Sequence, residues 1–232
     1  MLRKLPYIVI DIETRNLSQT GRELASSLVK PHPSTKDEAK RAAQVQAKVL
    51  SLEEKGALSD IAEIACIGIY SDSITPTVLH TFDFEGAIEG VDHGKYADEK
   101  TMLSDFCGII NEGCDENTEI VVANAGFDLP KIRYASAIRN KTKIPDILMP
   151  RALNPVFDIL HIAGKYFLVN KSDKYSLSLD DLAKHLGYEG KRASGAEVPN
   201  LIDSGEFETV ITYNVVDLLL TNMAYKVMSC RF

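Results

Sequence analysis

The chain has 232 residues, 45% hydrophobic and 25% charged, with a formal net charge of −7. That length can bury one self-sufficient core, and the balance excludes disorder, collagen and coiled-coil arrays as descriptions of the whole. No apolar run reaches the roughly 18 residues of a membrane-spanning helix, and the start Met-Leu-Arg-Lys-Leu-Pro leads into no signal-peptide h-region, so a cytoplasmic, reducing setting is expected. Leu5 to Ile12 is a short β-branched run, which predicts a buried central strand. Residues 61–70 and 76–84 predict a second and third strand, joined as a hairpin through Ser71-Asp72-Ser73. Residues 98–112 carry Met102, Leu103, Phe106, Ile109 and Ile110 at helical spacing. Residues 120–123 predict a fourth strand, and 127–140 a helix with Ile132, Ala135 and Ile138 inward. Val156 to Ile159 predict a fifth strand. Leu177 to Leu186 and Glu206 to Met228 predict helices, the last within 206–229. Strands alternating with helices after one early hairpin predict an α/β fold with a mixed sheet, in a single domain over 1–232.

Residues 15–59 interrupt that pattern. Pro31 and Pro33 precede a polar, Ala-rich stretch from Ser34 to Lys55. Val45, Val49 and Leu52 fall at i, i+4 and i+7, which predicts a weakly amphipathic helix inserted after the first strand and packed on the surface. Cys66 and Cys107 read as core thiols, and no C-x-x-C pair includes them, Cys114 or Cys230. The histidines His32, His80, His93, His161 and His185 lack metal-ligand spacing, which disfavours zinc. The common phosphate-cradling glycine motifs are absent.

The carboxylates are placed oddly. Asp11 and Glu13 end the first apolar strand, and i and i+2 share a face. Two acids there either lie in solvent or face a cation. Asp128 follows the fourth strand, in Asn124-Ala-Gly-Phe127-Asp128, where an acid often only complements a helix dipole and an Asn often only makes a turn. Asp217 lies inside an apolar helix, where an ionised carboxylate is costly unless paired or metal-bound. Tyr213, at i−4, shares its stripe. Four acids from three separated segments form a set suited to two-metal chemistry. Magnesium or manganese takes oxygen ligands. Two such ions about 4 Å apart clamp the attacking and leaving oxygens of a phosphodiester. Asp11 would bridge both, Glu13 and Asp217 would complete one, and Asp128 would support the other.

Asp11-Ile-Glu13-Thr14, Asn124-Ala-Gly-Phe127-Asp128 and Tyr213-Asn-Val-Val-Asp217 resemble the three motifs of the DEDD superfamily of 3′–5′ exonucleases. Tyr-x-x-x-Asp resembles the DEDDy branch, because the position where the other branch has His holds Thr212. The segment Ser178 to Gly187 also resembles the stretch before the third motif in the proofreading exonuclease domain of family B DNA polymerases and its free-standing relatives. The resemblance spans nearly the whole chain. It implies a ribonuclease H-like, five-stranded mixed sheet flanked by helices, with two Mg2+ or Mn2+ ions as cofactors. It implies Asp11, Glu13, Asp128 and Asp217 as metal ligands and catalytic residues, with Tyr213 orienting the attacking water. It implies substrate contacts from Thr14, Asn124 and Phe127. The implied activity is hydrolysis from a nucleic-acid 3′ end, releasing nucleoside 5′-monophosphates. Single-stranded DNA is the favoured substrate. RNA 3′-end trimming and a catalytically idle nucleic-acid-binding domain are the alternatives. A replication or repair protein supplied in trans would be a fitting partner. A net charge of −7 is unusual for a nucleic-acid binder, but Lys40-Arg41, Lys131 with Arg133, and Arg139, Lys141 and Lys143 form clusters able to track a phosphate backbone.

Overall fold

The computed structural model describes residues 4–16, 23, 27, 29–58, 61–150, 156–167, 178–189 and 195–229. Among them, six strands form one mixed sheet: β1 (Tyr7–Thr14), β2 (Ile64–Ser71), β3 (Ile74–His80), β4 (Asp92–Lys95), β5 (Glu119–Val122) and β6 (Val156–Asp158). Their order is β4-β3-β2-β1-β5-β6. β2 runs antiparallel to β1 and β3, and the other pairs are parallel. The expectation of five strands is therefore corrected to six. The additional strand is β4, Asp-His-Gly-Lys, whose residues have low strand propensity and no apolar alternation to announce it. It forms at the sheet edge by following β3.

β1 is buried along all eight residues, as a central strand covered on both faces must be. Ile8, Ile10 and Ile12 point to one face, where they meet Ile67 and Ile69 of β2 and the helices α2 (Glu99–Gly113) and α3 (Asp128–Arg133). The Asp98 side chain caps α2 by accepting from the Thr101 backbone N–H. Tyr7 and Val9 point to the other face, under α4 (Ile159–Ile162), α5 (Leu179–His185) and α7 (Phe207–Ser229). α6 (Val198–Ser204) extends that layer over Cys66 and Val78. α7 carries buried residues around most of its circumference, from Val210 to Tyr225, because it is wedged between the sheet and its neighbouring helices.

α1 (Glu38–Lys55) occupies the insert, with Val45 and Val49 half-buried as its stripe predicts. The Leu52 side chain, much of 17–28, Leu177 and Cys230 lie outside the described residues. Cys66 and Cys107 are buried free thiols, as expected, and so is Cys114. One local expectation fails. α3 widens into a π-turn at Tyr134–Arg139. Ile132 and Ala135 are buried as expected, but the wider turn rotates residue 138 off the apolar stripe, and Ile138 is 62% exposed. Among the described residues no helix is long and apolar enough to cross a membrane.

Candidate metal centre

Alternation along β1 sends Asp11 and Glu13 to the same face as Val9, toward α7. α7 crosses above them and brings Asp217 down from its buried side. One ligand oxygen from each of Asp11, Glu13 and Asp217 lies within 4.8 Å of the others. All three side chains are buried, at 6–7% exposure, so the charges do not sit in open water. Three carboxylates this close repel in a low-dielectric setting, and the group has the geometry to hold a metal ion that would offset them.

The donor set is hard. Cys66 pairs in register with Glu13 across β1 and β2. Burial, and then the Glu13 and Asp11 charges, push the Cys66 thiol well above its ordinary range. The group itself is made of carboxylate oxygens alone. All-oxygen carboxylate donors suit magnesium or manganese.

Tyr213, one turn before Asp217, is 7% exposed. Burial raises its phenol far above the usual range, and the Asp217, Glu13 and Asp11 charges raise it further. Its hydroxyl is hydrogen-bonded to Asp217 and remains protonated at any physiological pH. Tyr213 is therefore a hydrogen-bonding group and not a base.

Asp128 opens α3 and is 3% exposed, but it stands outside the tight group. β5 pairs with β1 only as far as Val9, so the backbone beyond is open on that edge. Asp128 takes it up through a hydrogen bond with the Ile12 backbone. Burial pushes the Asp128 carboxyl up to about 7, against backbone hydrogen bonds from Ile12, Asn124 and Asp128 itself, with the nearby Asp158 charge adding to the rise.

Asp158 escaped the sequence reading. Its Oδ2 accepts from the Ala125 N–H at 3.1 Å, and its Oδ1 accepts from the His161 N–H at 3.0 Å, capping α4. It thereby ties the Asn124–Asp128 turn to the end of β6. The available signal was an Asp directly before the apolar start of a helix.

Of the residues expected on the substrate side, Asn124 is exposed, and its carbonyl accepts from the Phe127 and Asp128 N–H groups. Phe127 is half-buried, with the Lys131 ammonium 4.7 Å from its ring centre. Thr14 is buried, and its hydroxyl donates to the Ala57 carbonyl at 2.8 Å. The basic clusters are partly corrected. Arg133 donates to the Leu148 carbonyl at 2.5 Å. Arg139 pairs with Glu99 at 3.1 Å and also donates to the carbonyls of Ile61 and Ala62. Lys131 is buried. These side chains hold loops in place, because burial makes internal acceptors compete successfully for them. Lys40 and Arg41 are exposed on α1.

Comparison of the chain with protein-family models and with curated proteins finds no match. The site therefore has to speak through its own chemistry.

Proposed function

We propose that this chain is a metal-dependent 3′–5′ exonuclease of DEDDy type on a ribonuclease H-like fold. It would take nucleic acid with a free 3′ end, with single-stranded DNA favoured, and release nucleoside 5′-monophosphates. The observation that carries this reading is the buried group of Asp11, Glu13 and Asp217 with Tyr213 hydrogen-bonded beside it. Residues of the first and third motifs, far apart in sequence, support this reading by lying together, with Asp128 of the second motif buried nearby against the Ile12 backbone.

Asp11, Glu13 and Asp217 would hold one Mg2+ or Mn2+ ion, and Asp11 with Asp128 would hold the second. Bound there, the cations supply activation of water near neutral pH and charge neutralisation at the phosphodiester. The protein's own groups do the rest. Tyr213, its proton donated to Asp217, would orient the attacking water by accepting a hydrogen bond from it at the hydroxyl oxygen. Asp128 gives up its proton as cation binds, so binding at pH below about 7 releases protons. Exposed Asn124 could hydrogen-bond the terminal nucleotide, and half-buried Phe127 could stack on a base.

The test uses purified protein with magnesium on 5′-labelled and 3′-labelled single-stranded DNA and RNA, beside covalently closed circles. Stepwise shortening from the 3′ end, release of 5′-monophosphates and loss of activity in EDTA are expected. Cutting of circles at a comparable rate, or activity that survives thorough chelation, overturns the proposal. RNA degraded in preference to DNA would move the assignment to RNA 3′ trimming.

A further inference from the structure

Asn214 has a place in the site that the four acids and Tyr213 leave unexplained. It follows Tyr213 on α7, on the side facing the sheet, and is fully buried. Its Nδ2 donates to Asp11 Oδ2 at 2.7 Å. Its Oδ1 is buried with no hydrogen-bond partner. An amide buried with half its hydrogen-bonding capacity unused is a poor choice for stability alone. Turning the amide over would set Oδ1 against the Asp11 carboxylate, acceptor against acceptor, so Asp11 decides which way it faces.

The room for this arrangement comes from Gly68. Gly68 is the register partner of Asp11 across β1 and β2. A Cβ there would lie 2.0 Å from Asn214 Oδ1, 3.0 Å from its Cγ and 2.8 Å from Leu218 Cδ1. Gly68 is absent from the residues with left-handed backbone. What is used is its missing side chain, which lets α7 approach the strand closely.

Resting on the nuclease reading above, we propose that Asn214, seated over Gly68, is a positioning residue that holds the Asp11 carboxylate oriented for its divalent cation. A carboxylate ordered before the ion arrives loses less freedom on binding, and the residue that orders a ligand commonly controls affinity as much as some ligands do. Asn214 touches neither cation nor substrate in this account. It acts through Asp11.

The decisive variant is Asn214→Leu, which keeps the branched shape but removes both the donor and the orphaned acceptor. Manganese affinity by calorimetry, and thermal melting in EDTA, are measured for wild type and variant. Wild type is expected to bind Mn2+. Asn214→Leu is expected to bind Mn2+ about 10- to 100-fold more weakly even under conditions where its melt in EDTA shows it fully folded. A residue with a purely structural role would lower the melting temperature and leave the affinity alone. Asn214→Ala, which fits whatever the tolerance for Leu, should lose affinity to a similar degree. Gly68→Ala should weaken binding in the same direction by displacing the amide, and should add little in combination with Asn214→Ala. Either Asn214 variant binding Mn2+ as tightly as wild type overturns the positioning role. Wild type that binds no Mn2+ overturns the nuclease reading itself, a separate result.

Discussion

The two ends of β1 meet the same helix, α7, and treat their charges oppositely. At the amino end, acids are matched by donors from the protein. Asp72 pairs with Lys226 at 2.7 Å and accepts from Asn222 at 3.2 Å. Glu119 accepts from the Tyr225 hydroxyl at 2.5 Å. Desolvation works against ionisation of Asp72, but the Lys226, Tyr7 and Asn222 contacts outweigh it and hold its carboxyl below the ordinary range. At the carboxyl end, Asp11, Glu13 and Asp217 gather around one another, and burial drives the Asp128 carboxyl upward to about 7. One end is balanced from within and serves the fold. The other gathers three carboxylates that could hold a metal ion, beside donors of its own from Asn214 to Asp11 and from Tyr213 to Asp217.

Substitutions that exchange an acid for its amide should separate the two ends most sharply. Asp217→Asn should cut turnover by at least about a thousandfold, since several kcal/mol of charge stabilisation at the phosphodiester depend on the held cation. Asp72→Asn should leave turnover unchanged and cost at most about 1 kcal/mol, because the Lys226 pair is substantially exposed. Denaturant melts and single-turnover assays on both variants make the comparison. Equal losses of activity from both would erase the distinction between the ends.

Tyr213→Phe should come next in size. Losing one orienting hydroxyl should reduce turnover about 10- to 1,000-fold while Mn2+ affinity stays near wild type. Full turnover in this variant would make Tyr213 a packing residue.

The pH dependence of metal-free stability offers a third contrast. A carboxyl whose folded pKa is raised binds its proton more tightly in the native state. Its contribution is therefore favourable at low pH and is lost as pH rises from the ordinary carboxylate range through about 7. In EDTA, wild type should lose stability relative to Asp128→Asn between about pH 4 and pH 7, and the difference should level off above that. Asp72 has the opposite sign, and its contribution fades as pH falls below the ordinary carboxylate range. Melts from neutral pH down to well below the ordinary carboxylate range check both, and a wild-type minus Asp128→Asn difference that is flat with pH would remove the desolvated acid from the account.

Most of the sheet was legible in the sequence, because residues 5–12, 61–70 and 120–123 are largely apolar, β-branched runs of strand length. β4 was not, since Asp92, His93, Gly94 and Lys95 pair by following β3 and not by preference. The acids were legible because an ionisable group in an apolar run is costly and so asks for a reason. Asn214 was not, because a single amide beside Tyr213 looks like a helix-surface residue until Gly68 is seen opposite Asp11. A glycine inside an apolar strand was the one signal that something approaches closely there. Arg133 and Arg139 misled in the other direction. Spacing makes a basic cluster look solvent-facing, whereas the carbonyls of Leu148, Ile61 and Ala62 that claim them come from distant loops. Ile138 failed for a local reason, a π-turn that no 3.6-residue period anticipates.

The most direct test of the claim that the carboxyl end of β1 awaits a cation is a thermal melt of wild type and Asp11→Asn, in EDTA and across a magnesium titration. The substitution keeps an oxygen to accept from Asn214 and removes one negative charge from the group. Wild type should gain about 2.7 kcal/mol when magnesium reaches a hundred times its dissociation constant. Asp11→Asn should melt higher than wild type in EDTA and lose most of the magnesium-dependent gain. An Asp11→Asn protein that is markedly less stable in EDTA, yet keeps the full magnesium shift, would contradict the shared cation site and return Asp11 to a structural role.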